Sequence, residues 1–196
     1  MFFNNTPEDP QQLETLAKAL QKGISSLIRE RSDGALTVKA TMERKRINEF
    51  MRKMRVDSID KFVEPAFVST VNYYLTEQDM IRKKTLGALV IYVEEHYVPI
   101  LLRSLKYPTV DSQNDDALKD ACGTLVNIMA GRFKNEMLAL GFTDLEMSPF
   151  SNYRKSALMG VDFDHKQTDK YDITFFINEN KRLVVELTMG PVPKKK

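Results

Sequence analysis

In the stretch DACGTLVNIMAGRFKNEML, residues 120–138, Asp120, Thr124, Asn127, Gly131 and Lys134 recur at intervals of three or four. A carboxylate, a hydroxyl, an amide and an ammonium are groups that hydrogen-bond and pair charge, not groups that fill a core. Laid out at about 100° per residue, they make one stripe along a helix expected over 115–140. Leu118, Cys122, Leu125, Met129 and Leu140 fall on the opposite side, flanked by Ala121, Ile128 and Phe133. The stripe therefore faces solvent or a partner. Glycine costs a helix interior about 1 kcal/mol relative to alanine, and this helix carries Gly123 and Gly131. Gly131 lies on the stripe, where a missing side chain lets another surface reach the backbone. Gly123 lets a neighbouring helix pack closely. Arg132 and Glu136 fall near the apolar margin at the spacing of an i,i+4 ion pair. From spacing alone, Asn127 is equally at home as a solvated amide.

Composition narrows the chemistry. The chain has 196 residues, 42% hydrophobic and 29% charged, enough to bury a sizeable core in one domain. Its two histidines, His96 and His165, lie far apart and there is one cysteine, so no zinc set can form and no metal or cofactor is expected. One cysteine also excludes an internal disulfide. The first ten residues have no basic start or sustained apolar segment, so they do not read as a signal peptide, and the cytoplasm is the natural compartment. No apolar run is long enough to span a bilayer. Net charge is +2, too balanced to argue for nucleic acid by itself. The exception is local: ERKRINEFMRKMR, residues 43–55, sets six basic residues against Glu43 and Glu49. Arg82, Lys83 and Lys84 form a second small cluster. These are solvated faces or a surface for something acidic.

The elements that must carry the stripe follow from periodicity. Leu13, Leu16, Ala17, Leu20, Ile24, Leu27 and Ile28 predict an amphipathic helix over 10–31. ALTVKATME alternates as a strand. The basic segment at about 44–58 reads as an inserted surface helix held by Ile47, Met51 and Met54. KFVEPAFVSTVNYYL and TLGALVIYVEE read as strands joined by a hairpin connection, TEQDMIRKK. EEHYVPILLRSLKY resumes helical spacing, PTVDSQND is a loop, and Asp115 or Asp116 caps the central helix. TDLEMSPF and ALMGVDFD are strand-like, and KYDITFFINENKRLVVELTM is a hairpin turning at NENK. A loose tail is expected at about 191–196. The order predicts an α+β fold, with long helices on a largely antiparallel sheet of about six strands.

DACGTLVNIMAGRFKNEM, followed by LEMSPF with Pro149, resembles the CheX/CheC branch of chemotaxis phosphatases. The family signature is an acidic or small polar residue, a glutamate four positions on, an asparagine three further, and a proline about two dozen residues downstream. Asp120, Asn127 and Pro149 match it, and NIMAGRF is similar to the run after the family asparagine. The resemblance implies a helix that docks on a CheY-like receiver domain of a phosphorylated response regulator. Asn127 would orient the water that attacks the aspartyl phosphate, and Asp120, Thr124, Gly131, Lys134 and Pro149 would form the binding surface. Where the family has its glutamate, this chain has Thr124. Residues 10–31 hold no asparagine, so any site is single, as in CheX-like members. A non-catalytic module like the related domain of flagellar switch proteins is the alternative. A nucleic-acid-binding protein using the basic segment ranks last, because that segment lacks interleaved stacking aromatics. A homodimer is left open.

Overall fold

Odd and even residues of the long strands are both buried, and this decides the architecture. In the computed structural model, residues 10–154 and 159–195 are described. The first nine residues, and the part of the strand-like ALMGVDFD at 157–158, lie outside the described residues. The elements are α1 (Pro10–Arg31), β1 (Val38–Arg46), β2 (Glu49–Phe50), β3 (Lys53–Val56), β4 (Ala66–Tyr74), α2 (Glu77–Ile81) and β5 (Gly87–Glu94). There follow α3 (Val98–Ser104), α4 (Asp115–Ala139), β6 (Glu146–Met147), β7 (Ser151–Arg154), β8 (Met159–Val161), β9 (Asp169–Ile177) and β10 (Asn180–Met189).

Seven strands form one antiparallel sheet in the order β1-β9-β10-β5-β4-β6, with β7 also paired to β4. The expected α+β class holds. One face carries Phe67, Leu89, Ile91, Ile173, Phe175 and Val185, buried under α1, α3 and α4. The other carries Val68, Val90, Tyr92 and Val184, buried under Met54, Val56, Phe62, Val161 and Phe163. A strand alternating between two covered faces reads as a continuous apolar run, which is what GALVIYV shows. The β9–β10 turn comes where NENK places it, with Asn178 and Glu179 both at positive φ (48° and 67°), the requirement of a tight hairpin turn.

Several expectations are corrected. The basic segment is not a helix. β1 runs on to Arg46, and β2 and β3 form a hairpin turning at Met51 and Arg52, both at positive φ. With β8 they make a second, three-stranded sheet over the back of the first. Ile47, Met51 and Met54 sit at helical spacing, but only Met54 is buried; Met51 is 81% exposed at the turn. The Ile47 backbone N–H donates to Thr168 and Arg55 to Asn48, so strand pairing won over a weak helical period. The connection after β4 contains α2, capped by Thr76. The cap of α4 is Asn114, whose side chain accepts from Asp116 N and Ala117 N at 3.1 Å each. Asp115 and Asp116 occupy the first turn, where the helix dipole favours carboxylates. Leu140 caps the far end and is 45% exposed, because Gly141 (φ 81°) ends the helix there. Residues 191–195 are not loose. Val192 is buried, Lys194 pairs with Phe142, and Gln12 bonds the Val192 backbone in both directions.

On the back face Glu186 of β10 lies directly across from Asp172 of β9, a repulsive cross-strand pair if left alone. Lys61 Nζ bridges them, 2.6 Å from each, and Lys170 contacts both. Tyr92 donates its hydroxyl to Glu186 at 2.9 Å. Burial by itself would lower the Lys61 pKa, but Glu186 and Asp172 together carry it above the ordinary value. Burial would raise Asp172, but Lys170 and Lys61 hold it below the ordinary value. The Asp172 contribution is complete above its unfolded pKa and is lost as pH falls through the lower folded one. The Lys61 contribution is complete below its unfolded pKa and is lost as pH rises through the higher folded one. The melting temperature should therefore hold a plateau between roughly pH 5 and 9.5 and fall on both sides. Asp172→Asn should cost about 3 kcal/mol on the plateau and flatten the acid limb. An acid limb unchanged in the variant would remove Asp172 from that role.

Candidate functional site

The surface that α4 presents is set by what grips its other sides. Leu118, Cys122, Leu125, Met129 and Phe133 are buried, together with Val126, Ala130 and Met137. The Tyr73 ring meets Phe133 edge-on at 5.8 Å. At the α1 margin Arg132 pairs with Glu136 (3.6 Å) and Glu30 (3.1 Å), and Lys22 with Glu136 (3.0 Å). The anticipated i,i+4 pair is therefore present and also joins the two helices.

On the other flank a short chain of polar groups crosses from helix to sheet. Cys122 Sγ lies 3.0 Å from Ser69 Oγ, Ser69 bonds Asn152, and the Asn152 amide donates to the Lys119 carbonyl at 2.7 Å. Burial pushes the Cys122 thiol up to about 12, so it stays a protonated packing group and no nucleophile. Beside it the Phe150 ring lies on Gly123, where an added Cβ would stand 2.3 Å from the ring. The close approach anticipated at Gly123 is real, but its partner is the loop before β7 and not a helix. Phe150 and Asn152 were missed in the sequence. LEMSPF was read for its proline, and nothing local marks the phenylalanine as the ring that needs a glycine.

What remains uncovered is the stripe. Asp120, Thr124 and Asn127 are exposed, and Gly131 and Lys134 are half-buried. The Thr124 hydroxyl donates to the Asp120 carbonyl one turn back at 3.0 Å, a common habit of helical threonines. Among the described residues nothing hydrogen-bonds the Asn127 side chain. Gly131 has open space where a Cβ would be. Lys134 is not free: it pairs with Asp144 at 3.0 Å. Pro149 is exposed in the segment that Phe150 and Asn152 lay along α4, so the stripe and the downstream proline are on neighbouring elements. No group of three or more possible metal ligands occurs among the described residues. Among them, too, no helix is long and apolar enough to cross a membrane.

No family model matches the chain, and no curated protein matches it. Solved structures do. The chemotaxis protein CheX from Desulfovibrio desulfuricans is 12% identical, with 89% of this chain and 99% of that one covered at a TM-score of 0.58. The chain has the CheC/CheX-like fold. A chain of the CheX–CheY–BeF3–Mg2+ complex from Borrelia burgdorferi is 12% identical over 90% of this chain and 98% of that one, at a TM-score of 0.53. A chain of the FliM–SpeE complex from H. pylori is 9% identical, covering 93% and 89% at a TM-score of 0.56. At such identities the likeness is one of fold. In this CheC/CheX-like chain the basic hairpin packs on the back of the sheet, away from α4.

The two glycines of α4 should respond oppositely to alanine. Gly131→Ala meets nothing and should stabilise the fold by about 1 kcal/mol. Gly123→Ala drives a methyl into the Phe150 ring and should destabilise it by about 1–3 kcal/mol despite the same helical gain. Urea denaturation of both variants measures this. Stabilisation by both would mean that Phe150 does not seat on Gly123.

Proposed function

We propose that this protein docks α4 on a CheY-like receiver domain of a phosphorylated response regulator and dephosphorylates it weakly. The observation that carries the proposal is Asn127: an amide held in solvent on a rigid helix, without a hydrogen-bond partner, one turn from the open backbone at Gly131. A neutral amide beside an aspartyl phosphate can hold a water in line with phosphorus without repelling the anion. The water oxygen bonds phosphorus, the bond from phosphorus to the aspartyl oxygen breaks, and the water's proton leaves with inorganic phosphate or solvent. The aspartate is regenerated as a carboxylate. Gly131 gives the receiver room to approach, and Asp120 offers a carboxylate to a partner cation. Pro149 and Lys134 border the contact, with Lys134 first leaving Asp144, a surface pair of little cost. The likeness to a chain from a CheX–CheY complex supports the choice of partner.

Thr124 sets the weakness. It is short and uncharged, and its hydroxyl is already bonded to the Asp120 carbonyl, so it cannot replace a carboxylate that reaches a partner lysine. The same fact favours a second reading, a binding module without catalysis, which the likeness to a chain from the FliM–SpeE complex also fits.

Restoring the carboxylate separates the two. Thr124→Glu adds a charge-assisted contact of about 1.5–3 kcal/mol. If that contact forms chiefly in the transition state, phosphate release rises about ten- to a hundredfold. Asn127→Ala in that background should abolish the gain, while the fold, with residue 124 exposed, should hardly change. The measurement is phosphate release from phosphorylated receiver domains by wild type, single and double variants. No gain with any receiver that binds would leave the non-catalytic module as the better account.

A further inference from the structure

Where the loop after α3 meets the first turns of α4, a cavity of about 350 Å3 opens at the surface. Leu102, Tyr107, Val110 and Ala117 supply apolar walls, Asp111 lines it from the loop, and Asp120 and Thr124 line it from the stripe itself. The cavity is thus continuous with the face proposed to dock. It is at the small end of ligand cavities, which run roughly 300–1,000 Å3, and suits one bulky side chain. Its charge is acidic, from Asp111 and Asp120. Asp111 is held in a turn, accepting from the Gln113 N–H at 2.9 Å. Among the described residues the Asp120 carboxylate has no such partner. With its hydroxyl turned onto the helix backbone, Thr124 borders the cavity without presenting a charge that an entering apolar group would have to desolvate.

We infer that this cavity is a socket for an apolar side chain of the partner, with a neighbouring cationic side chain of the same partner reaching Asp120. This rests on the receiver-docking reading and adds what the docking recognises: an apolar residue beside a lysine or arginine on the receiver surface. Thr124 is then a specificity residue as well as a missing carboxylate. Seating one apolar side chain accounts for about a ten- to hundredfold gain in affinity.

The test has two arms. In the first, the protein is titrated with phenethylammonium chloride and with uncharged phenethyl alcohol, followed by backbone amide NMR shifts. Saturable shifts should gather at residues 117–124, tighter for the ammonium. Ala117→Phe, which fills the socket, should abolish both, and Asp120→Asn should lower the preference for the cation more than Asp111→Asn does. In the second, beryllofluoride-loaded receiver domains are titrated. Ala117→Phe should weaken binding about tenfold or more at every salt concentration, and Asp120→Asn should weaken it only at low salt. Melting curves check that each variant folds; Asp120→Asn, on the exposed surface, keeps the test alive if Ala117→Phe does not. Saturable fragment shifts without binding of any receiver would support the socket and overturn the receiver as its occupant. Fragment shifts scattered over the surface, or receiver binding indifferent to both variants, would overturn the socket while receiver docking stands.

Discussion

The rotation of α4 about its own axis is the constraint on which the rest depends. A helix advances about 100° per residue, so a slip of one position would carry Asn127 toward the sheet and bring apolar side chains into solvent. Two contacts on one flank set the angle. The Phe150 ring lies directly on the Gly123 backbone, and Cys122, Ser69, Asn152 and the Lys119 carbonyl form a continuous polar chain from helix to sheet. On the opposite flank Arg132 and Glu136 join α1. With both flanks engaged, the uncovered stripe is a geometric remainder, and its residues can be of types that contribute nothing to the core.

Behind the sheet, electrostatics does similar work. Most cations of the basic run are matched by carboxylates of the same chain. Arg44 and Arg46 pair with Asp169, Lys45 with Asp172 and Glu43, Lys53 with Asp162, and Arg55 with Asp57. Among the described residues Arg52, at the hairpin turn, is the cation of that run left without an acidic neighbour. The cluster that looked like an outward surface for something acidic is thus largely turned to holding β1 against β9 and β3 beside β8. That removes much of the electrostatic basis for reading the segment as a nucleic-acid site.

Legibility followed the range of the signal. α1, α4 and the β9–β10 hairpin announce themselves through local period and turn chemistry, and the exposure of Asp120, Thr124 and Asn127 came from angle arithmetic alone. β4 and β5 were readable as strands, and the continuous apolar run of GALVIYV is the mark of a strand covered on both faces, but nothing in the run says which elements cover the second face. The hairpin at 47–56 was misread because Ile47, Met51 and Met54 happen to sit at helical spacing while the pairing with β8 lies about a hundred residues away. The cap at Asn114 was displaced by two neighbouring aspartates that look equally suitable. The walls of the cavity come from α3, a loop and α4, and no pattern along the chain joins them.

The seat of α1 bears on the order in which this protein can assemble. Its apolar face, including Leu16, Leu20, Ile24 and Ile28, is fully buried against α4, β9 and β10, and Gln12 is bonded to Val192, 180 residues along the chain. α1 is made well before the β9 and β10 strands that help cover it, so it is among the last elements to find its full seat. Until α4, β9 and β10 have all emerged, that face is only partly covered and open to chaperones and to other unfinished chains. Contacts of such sequence separation close slowly, so the nascent protein passes through an extended, aggregation-exposed interval before the completed fold seals it.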